Sequence, residues 1–210
     1  MENEIIKTFD EHGNELGVAT RSEVHNKGYW HKTFHCWITS NENGIDYIHL
    51  QIRSEWKKDY PDLFDITAAG HILAHESIGD GIREVKEEIG IDVLMDELIS
   101  MGVIKYCAIK DDFMDKELAH VFLYQSNIHL DEYNLQREEV SGIVKAKFDD
   151  FRELWLGEKE EISVEGFEMD DVGNKIPIQM MVNKNQFVPH DLSYYESIIE
   201  LISKNLKEPE

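Results

Sequence analysis

The feature that most constrains this chain is a run of regularly spaced acids that ends at a glycine. Glu84, Glu87 and Glu88 are related by three and four positions, so their carboxylates converge on one side of an α-helix. On the other side, apolar residues recur at the same spacings: Ile82, Val85 and Ile89. This pattern predicts a helix over residues 79–89 that packs its apolar face on a sheet and ends at Gly90 as C-cap.

Carboxylates gathered in this way suit a hard divalent cation. Mg²⁺ and Mn²⁺ prefer carboxylate, carbonyl and water ligands. The alternative is an ordinary solvated acidic helix face, with Lys86 and Arg83 as partial neutralisers. The neighbouring residues favour the metal site, because Gly70 lets the backbone come close to an ion and Glu76 precedes the helix at a fixed distance. Arg83 can also pair with a carboxylate and orient it.

The run from residue 70 to residue 91 resembles the Nudix box, G-x5-E-x7-R-E-U-x-E-E-x-G-U, where U is a bulky aliphatic residue. The matching residues are Gly70, Glu76, Arg83, Glu84, Val85, Glu87, Glu88, Gly90 and Ile91. Between Glu76 and Arg83 the chain is one residue shorter than this pattern, which shortens the loop before the helix. Since the glutamates lie on the helix, we expect the metal cluster to persist and the path of the loop to differ.

The resemblance implies a hydrolase of phosphoanhydride bonds that depends on Mg²⁺ or Mn²⁺. The implied metal ligands are Glu84, Glu88 and Glu87, together with the Gly70 carbonyl. Arg83 is expected to orient Glu84 rather than to touch the substrate. The proton acceptor for the attacking water is either a box glutamate or an acid on a later loop, and both alternatives stay open. We expect Glu84 and Glu88 to be exposed to the metal rather than packed in the core.

The region from residue 10 to residue 148 resembles the branch of this superfamily that is related to isopentenyl-diphosphate isomerase. The resemblance is carried by D-E-H-G-N-E-L-G, H-N-K-G-Y-W-H-K-T-F, L-Q-I-R-S and D-I-T-A-A-G-H. In that isomerase a histidine pair, a histidine after the box glycine and two later acids bind metal. The matching residues here are His25, His31, His71, Asp115 and Glu117. Ala69 stands in place of the catalytic cysteine, and since a methyl group cannot transfer a proton, this argues against isomerisation.

Outside the box each candidate residue has a structural alternative. His31 is either a ligand or a strand histidine with internal partners, and His71 is more typical of a structural role. Arg53 pairs either with a substrate phosphate or with a surface acid. The segment from residue 110 to residue 117 is predicted as an acidic loop that supplies an extra acid, with Glu117 the preferred candidate and Asp115 the second.

The pattern of elements predicts an α+β protein. Asn43-Gly44 between two alternating apolar runs predicts a hairpin. The resemblance implies an α/β/α sandwich with a mixed sheet in a single domain over residues 1–210. Its core is expected at about residues 10–150. Residues 151–210 are expected to form a C-terminal helical extension packed on this core, ending in a helix with Ser193 and Glu196 as capping box. Whether the extension covers the active site or makes a homodimer contact is left open.

Composition limits the partners. The formal net charge of −22 argues against binding of duplex nucleic acid, which requires a basic face. No apolar run approaches the roughly 20 residues that span a bilayer, and the acidic N-terminus has no signal-peptide pattern. Cys36 and Cys107 are expected as buried free thiols, which fits a cytoplasmic protein. The expected partner is a small organic diphosphate of the nucleoside diphosphate type. The alternatives are an isomerase-like protein and a non-catalytic nucleotide sensor.

Overall fold

The computed structural model describes residues 4–110 and 113–206. The strands in these ranges are β1 (Ile5–Phe9), β2 (Glu15–Thr20), β3 (Trp30–Glu42), β4 (Ile45–Arg53), β5 (Phe64–Asp65), β6 (Ala68–His71), β7 (Ile99–Lys110), β8 (Phe113–Gln125), β9 (Val140–Lys147), β10 (Ile162–Met169) and β11 (Lys175–Val182). The α-helices are α1 (Arg21–Lys27), α2 (Arg83–Ile89), α3 (Phe148–Leu156) and α4 (Leu192–Asn205).

The strands form one mixed sheet in which β3 is central. Its path runs β11-β10-β9-β4-β3-β1-β2, and β3 also pairs with β6 and β8. The β3–β8 pair is parallel, whereas β3 is antiparallel to β4 and β6. The parallel register places His31 opposite Glu117. The predicted β3–β4 hairpin is confirmed, and its two turn residues Asn43 and Gly44 have φ of 54° and 83°, as an Asn-Gly turn of this kind requires.

Helices cover both faces of the sheet. Val85 and Ile89 of α2 are fully buried against one face, in a cluster with Phe34 and Ile38 of β3. Trp37, which lies between Phe34 and Ile38 and points to the opposite face of β3, packs with α3 and α4 instead. Since successive strand residues point to opposite faces, the sheet lies between two helical layers. Burial of each large apolar side chain contributes about 1.5–3 kcal/mol to this arrangement.

The helix of the acidic run begins later than expected. Residues Ile78–Ile82 form a 3₁₀ turn, and the α-helix proper begins at Arg83. Its C-terminal end agrees with the prediction, because Gly90 is left-handed with φ 74°.

The acidic segment after β7 is not the loop that the sequence predicted. Residues from Phe113 onward belong to β8, and within it Asp115 lies opposite Ala108 and Glu117 opposite Tyr106 of β7. Pairing with β3 on its other side satisfies the backbone of β8 and makes it a strand rather than a loop. Asp115 and Glu117 are two positions apart, so they lie on the same face. The acids at 111 and 112 lie outside the described residues.

The C-terminal region is more than a helical extension. β10 pairs with β9, and β11 pairs with β10, so this region adds two strands to the sheet. The predicted capping box of the last helix is wrong: Asp191 is the N-cap, without a side-chain cap hydrogen bond, because Ser193 already lies inside the helix. The apolar face of α4 buries Tyr195, Ile198 and Ile202.

Two further expectations concern the cysteines and membranes. Cys36 is buried, Cys107 is half-buried, and both are free thiols. In the described part of the chain, no helix is both long enough and apolar enough to cross a bilayer.

Candidate functional site

A cavity of about 270 Å³ opens beside β3, β6 and α2. It brings together nearly all residues that the sequence singled out: His25, Arg53, Gly70, His71, Arg83, Glu84, Glu87, Glu88, Asp115 and Glu117. His31 is fully buried and lies next to this lining, 3.4 Å from the Asp115 carboxylate. The chain positions that carry the two resemblances therefore meet in one place.

Arg83 links the loop before α2 to the acids on the helix. Its guanidinium donates two hydrogen bonds to Glu76, at 2.6 and 3.1 Å. It also donates to Glu84 at 2.6 Å, to Glu87 at 3.0 Å and to the His71 carbonyl at 3.1 Å. The Arg83–Glu84 contact that the sequence predicted is therefore present, and one cation is shared by three carboxylates.

The strand β6 fits tightly against these glutamates. A Cβ atom at Gly70 would lie 2.2 Å from the Glu84 carboxyl carbon, so only glycine leaves room for the carboxylate. One residue earlier, the Ala69 amide donates a hydrogen bond of 3.0 Å to Glu88. The glycine therefore admits a glutamate side chain here, whereas the sequence interpretation gave that space to an ion.

Glu84 and Glu88 are less accessible to solvent than the sequence suggested, and Glu88 is packed in the interior. Glu88 is only 4% exposed, and the Glu84 side chain is 12% exposed. Burial raises the pKa of Glu84 to about 7 and that of Glu88 to about 8. Both side chains nevertheless line the cavity, because the short helix presents them at the junction of β6 and α2 rather than at the outer surface. Buried carboxylates of this kind are stabilised in their charged form by a nearby cation.

A histidine cluster forms the second part of the site. His25 comes from α1, His31 from β3 and His71 from the end of β6. The three ring centroids are 5.1–5.3 Å apart, and one nitrogen from each ring lies within 4.8 Å of the others. Burial lowers the pKa of both His31 and His71, which favours the neutral imidazole that metal ions bind.

Two acids complete this cluster. His31, Asp115 and Glu117 also offer ligand atoms that all lie within 4.8 Å of one another. His31 Nε2 and Asp115 Oδ1 are buried and lack a hydrogen-bond partner among the described residues. Because buried polar atoms are normally satisfied, a cation bound between them fits this donor set. Among the described residues, Glu84, Glu87 and Glu88 are not gathered within the same 4.8 Å limit.

Arg53 lines the cavity and forms an ion pair with an acid, while its pairing with a substrate phosphate stays a prediction. It donates to Asp65 at 2.8 Å and to the carbonyls of Asp59 and Tyr60 at 2.8–3.2 Å. Its side chain is 16% exposed, so the ion pair is largely buried rather than on the surface. The Arg53 guanidinium lines the cavity, and most of its N–H groups already donate hydrogen bonds within the protein.

Sequence reasoning missed the residues that reach the cavity from distant parts of the chain. His190, from the segment after β11, lines the cavity and bonds to Asp65 at 2.9 Å. His35 of β3 contacts Glu117 at 3.0 Å. The H-K-T-F-H spacing places His31 and His35 on one face of a strand, and this was the available signal for His35. No local pattern points to His190.

Comparison with known proteins supports the two resemblances. No family model matches the chain. An uncharacterized Nudix hydrolase of Clostridium acetobutylicum is 38% identical over 202 residues, which cover 96% of this chain and 98% of that protein. Isopentenyl-diphosphate Delta-isomerase 2 of Photorhabdus laumondii is 27% identical over 135 residues, or 62% of this chain and 73% of that protein.

The fold has solved counterparts. The structure of a Nudix hydrolase from M. smegmatis matches with a TM-score of 0.53 at 10% sequence identity, covering 97% of this chain and 98% of that one. A match at this identity shows the fold alone, an α/β/α sandwich around a mixed sheet. The relative from Clostridium acetobutylicum, which matches at 38% identity over nearly its whole length, shows that this chain belongs to the Nudix hydrolase superfamily.

Proposed function

We propose that the protein is a Mg²⁺- or Mn²⁺-dependent hydrolase that cleaves a phosphoanhydride bond in a substrate of the nucleoside diphosphate type. The observation that carries this proposal is the charge balance of the cavity. Acids outnumber the basic side chains in its lining, and each Arg or Lys there is already ion-paired with an acid. The pairs are Arg21–Glu4, Arg53–Asp65, Lys57–Glu139 and Arg83 with its glutamates.

A diphosphate entering this cavity would therefore meet carboxylates, together with Arg and Lys side chains that are already paired with acids. Divalent ions reverse that situation, because they neutralise the acids and present positive charge to the phosphates. We assign the ions to Glu84, Glu87 and Glu88 and to the group of His25, His31, His71, Asp115 and Glu117. When bound, such ions polarise phosphoryl oxygens and lower the pKa of a coordinated water.

The residues of the chain itself divide the remaining work. Arg83 holds Glu84 in place while it is anchored by Glu76. Glu117 accepts one hydrogen bond from Thr33 at 3.1 Å, contacts His35 at 3.0 Å, and offers a ligand atom within 4.8 Å of those of His31 and Asp115. We therefore assign Glu117 a ligand role and place the proton acceptor among the box glutamates.

The organic part of the substrate is proposed from the resemblance, since this branch includes enzymes of nucleoside diphosphates. Ala69 stands on β6 beside Glu88, where the isomerase branch has its cysteine, and this favours hydrolysis over isomerisation. We further propose that the protein acts in the cytoplasm, in keeping with its two free thiols. Size-exclusion chromatography with light scattering tests whether it forms a homodimer.

The test is a substrate panel incubated with Mg²⁺ and, separately, with Mn²⁺. The panel contains nucleoside di- and triphosphates, nucleotide sugars and prenyl diphosphates, and anion-exchange chromatography resolves the products. The inactive variant is Glu88→Gln, whose amide oxygen can still accept from Ala69 and so preserves the fold. Asp92→Asn, an exposed acid just after α2, is the matched control.

We expect metal-dependent release of phosphate or monophosphate by the wild type and by Asp92→Asn, and none by Glu88→Gln. Binding of metal and nucleotide without any product would contradict hydrolysis and support the sensor. Conversion of a prenyl diphosphate to its allylic isomer without phosphate release would support the isomerase-like alternative. Full turnover by Glu88→Gln would refute the role of the box.

A further inference from the structure

The C-terminal helix α4 contacts a histidine of the cavity lining, His35, through a buried tyrosine. The Tyr194 hydroxyl lies 2.8 Å from Nδ1 of His35, a residue 159 positions earlier in the chain. Both side chains are buried, and their rings meet edge to face with centroids 5.8 Å apart. A buried hydrogen bond of this length fixes the orientation of the imidazole ring.

The other nitrogen of the same ring faces Glu117. His35 Nε2 lies 3.0 Å from Glu117 Oε2, and the Thr33 hydroxyl donates to the same oxygen at 3.1 Å. An ionised carboxylate can only accept, so Nε2 carries the proton in this contact. In the neutral imidazole Nδ1 then accepts from the Tyr194 hydroxyl, so the hydrogen bond at one nitrogen sets the role of the other.

Two successive contacts, Tyr194 with His35 and His35 with Glu117, therefore connect α4 to a carboxylate of the histidine and acid cluster. Glu117 is 8% exposed and belongs to the group with His31 and Asp115 whose ligand atoms lie within 4.8 Å of one another. The two donors converge on one of its oxygens, and this holds the carboxyl plane at one angle to the cluster. Loss of a group that hydrogen-bonds to a metal ligand typically lowers the metal affinity about ten- to a hundredfold.

We infer that Tyr194, acting through His35, is a positioning residue for Glu117, and that α4 thereby raises the affinity of the His31, Asp115 and Glu117 group for a divalent cation. This inference rests on the proposed function in one respect, that Glu117 is a metal ligand. It gives the region 151–210, which lies outside the motif resemblance, a part in the metal centre.

The test compares two adjacent tyrosines of α4. Tyr194→Phe removes the hydroxyl that bonds His35. Tyr195→Phe removes a hydroxyl of equal burial that donates to the Val188 carbonyl at 2.8 Å and does not contact His35. Mn²⁺ is titrated into each protein without substrate. Nitrogen couplings in pulsed electron paramagnetic resonance report on Mn²⁺ at the histidine cluster only, because the glutamates of α2 supply oxygen ligands.

For the nitrogen-coupled site we expect Tyr194→Phe to weaken Mn²⁺ affinity about three- to tenfold, the effect of one hydrogen bond, and Tyr195→Phe to leave it unchanged. His35→Leu should weaken it about ten- to a hundredfold, and His35→Gln, whose amide can donate to Glu117, should recover most of that loss. Thermal unfolding measured alongside separates a folding defect from a metal defect, since both Phe variants lose one buried hydrogen bond.

Two outcomes overturn different statements. If the wild type shows no nitrogen-coupled Mn²⁺, the ligand assignment within the proposed function is wrong. If the wild type shows that signal, and Tyr194→Phe and His35→Leu bind Mn²⁺ as the wild type does, the positioning role is wrong while the ligand assignment stands. Equal weakening by Tyr194→Phe and Tyr195→Phe would also refute it, because the effect would then be one of packing.

Discussion

Replacing Gly70 by alanine tests whether the placement of Glu84 controls the metal site. The added Cβ would lie 2.2 Å from the Glu84 carboxyl carbon and 2.2 Å from its Oε1. These atoms are the end of a flexible side chain and not backbone, so the side chain can move away at modest cost. We therefore expect the substitution to act on the position of a carboxylate much more than on the stability of the fold.

The required movement can be worked out from the contact distances. Ordinary van der Waals contact begins at 3.4 Å, so the carboxyl group must retreat by about 1.2 Å. That shift removes it from its 2.6 Å hydrogen bond with Arg83. A displacement of about 1 Å in a catalytic arrangement costs on the order of a hundredfold in rate. We expect kcat/KM to fall by about that factor, while the free energy of unfolding changes by no more than about 1–3 kcal/mol.

The assay measures metal-dependent turnover of whichever substrate the panel identifies, together with unfolding in urea. Gly79→Ala is the matched control, because its added Cβ would meet nothing closer than 3.8 Å and its backbone is not left-handed. The control should retain the activity and stability of the wild type. The reasoning fails if Gly70→Ala keeps kcat/KM within about threefold of the wild type, or if it unfolds so readily that no folded protein can be assayed.

Two further predictions concern stability. Gly166→Ala should destabilise the β9–β10 pair by at least about 1–3 kcal/mol, because its Cβ would lie 2.0 Å from the Ile143 carbonyl oxygen; urea unfolding that matches Gly79→Ala would contradict this. Burial lowers the pKa of His49 to about 4. Because the unfolded chain binds a proton at His49 below about pH 6.5 and the folded chain does so only near pH 4, the free energy of unfolding is unaffected by this residue's titration above about pH 6.5. It should fall by about 3 kcal/mol as the pH drops toward 4. Acidification also reduces the net charge of −22, which changes stability independently of His49. The contribution of His49 is therefore measured as the difference between wild type and His49→Gln in how the free energy of unfolding varies with pH. The same pH dependence in both proteins would refute the prediction.

The sequence predicted those features whose determinants are close together in the chain. The acids of α2 and the Gly90 cap are set by spacings of three and four residues, and the Asn43-Gly44 turn by two residues with positive φ. The same holds for the Arg83–Glu84 contact, since the two residues are neighbours. Such features depend on local backbone geometry, which the residue types specify directly.

The features that the sequence did not predict depend on pairing across long separations. Glu117 is in a strand because β8 finds partners on both sides, in β3 and β7, and neither partner is visible from an acidic segment. The contact of His190 with Asp65 spans 125 positions, and that of Tyr194 with His35 spans 159. The burial of Glu88 likewise follows from β6 lying against α2 rather than from the pattern of the helix.

The shortened loop of the box shows how local geometry compensates for a missing residue. The segment Ile78–Ile82 is a 3₁₀ turn, and such a turn rises about 2.0 Å per residue against about 1.5 Å in an α-helix. Over five residues the difference is about 2.5 Å, a large part of the roughly 3.5 Å that one extended loop residue can span. Arg83 can therefore still reach Glu76 with two hydrogen bonds. Gly81 is required in this turn, since a Cβ there would lie 2.5 Å from Ile72 and 2.8 Å from Phe34. The tighter turn thus keeps the acids of α2 in the register that the box defines.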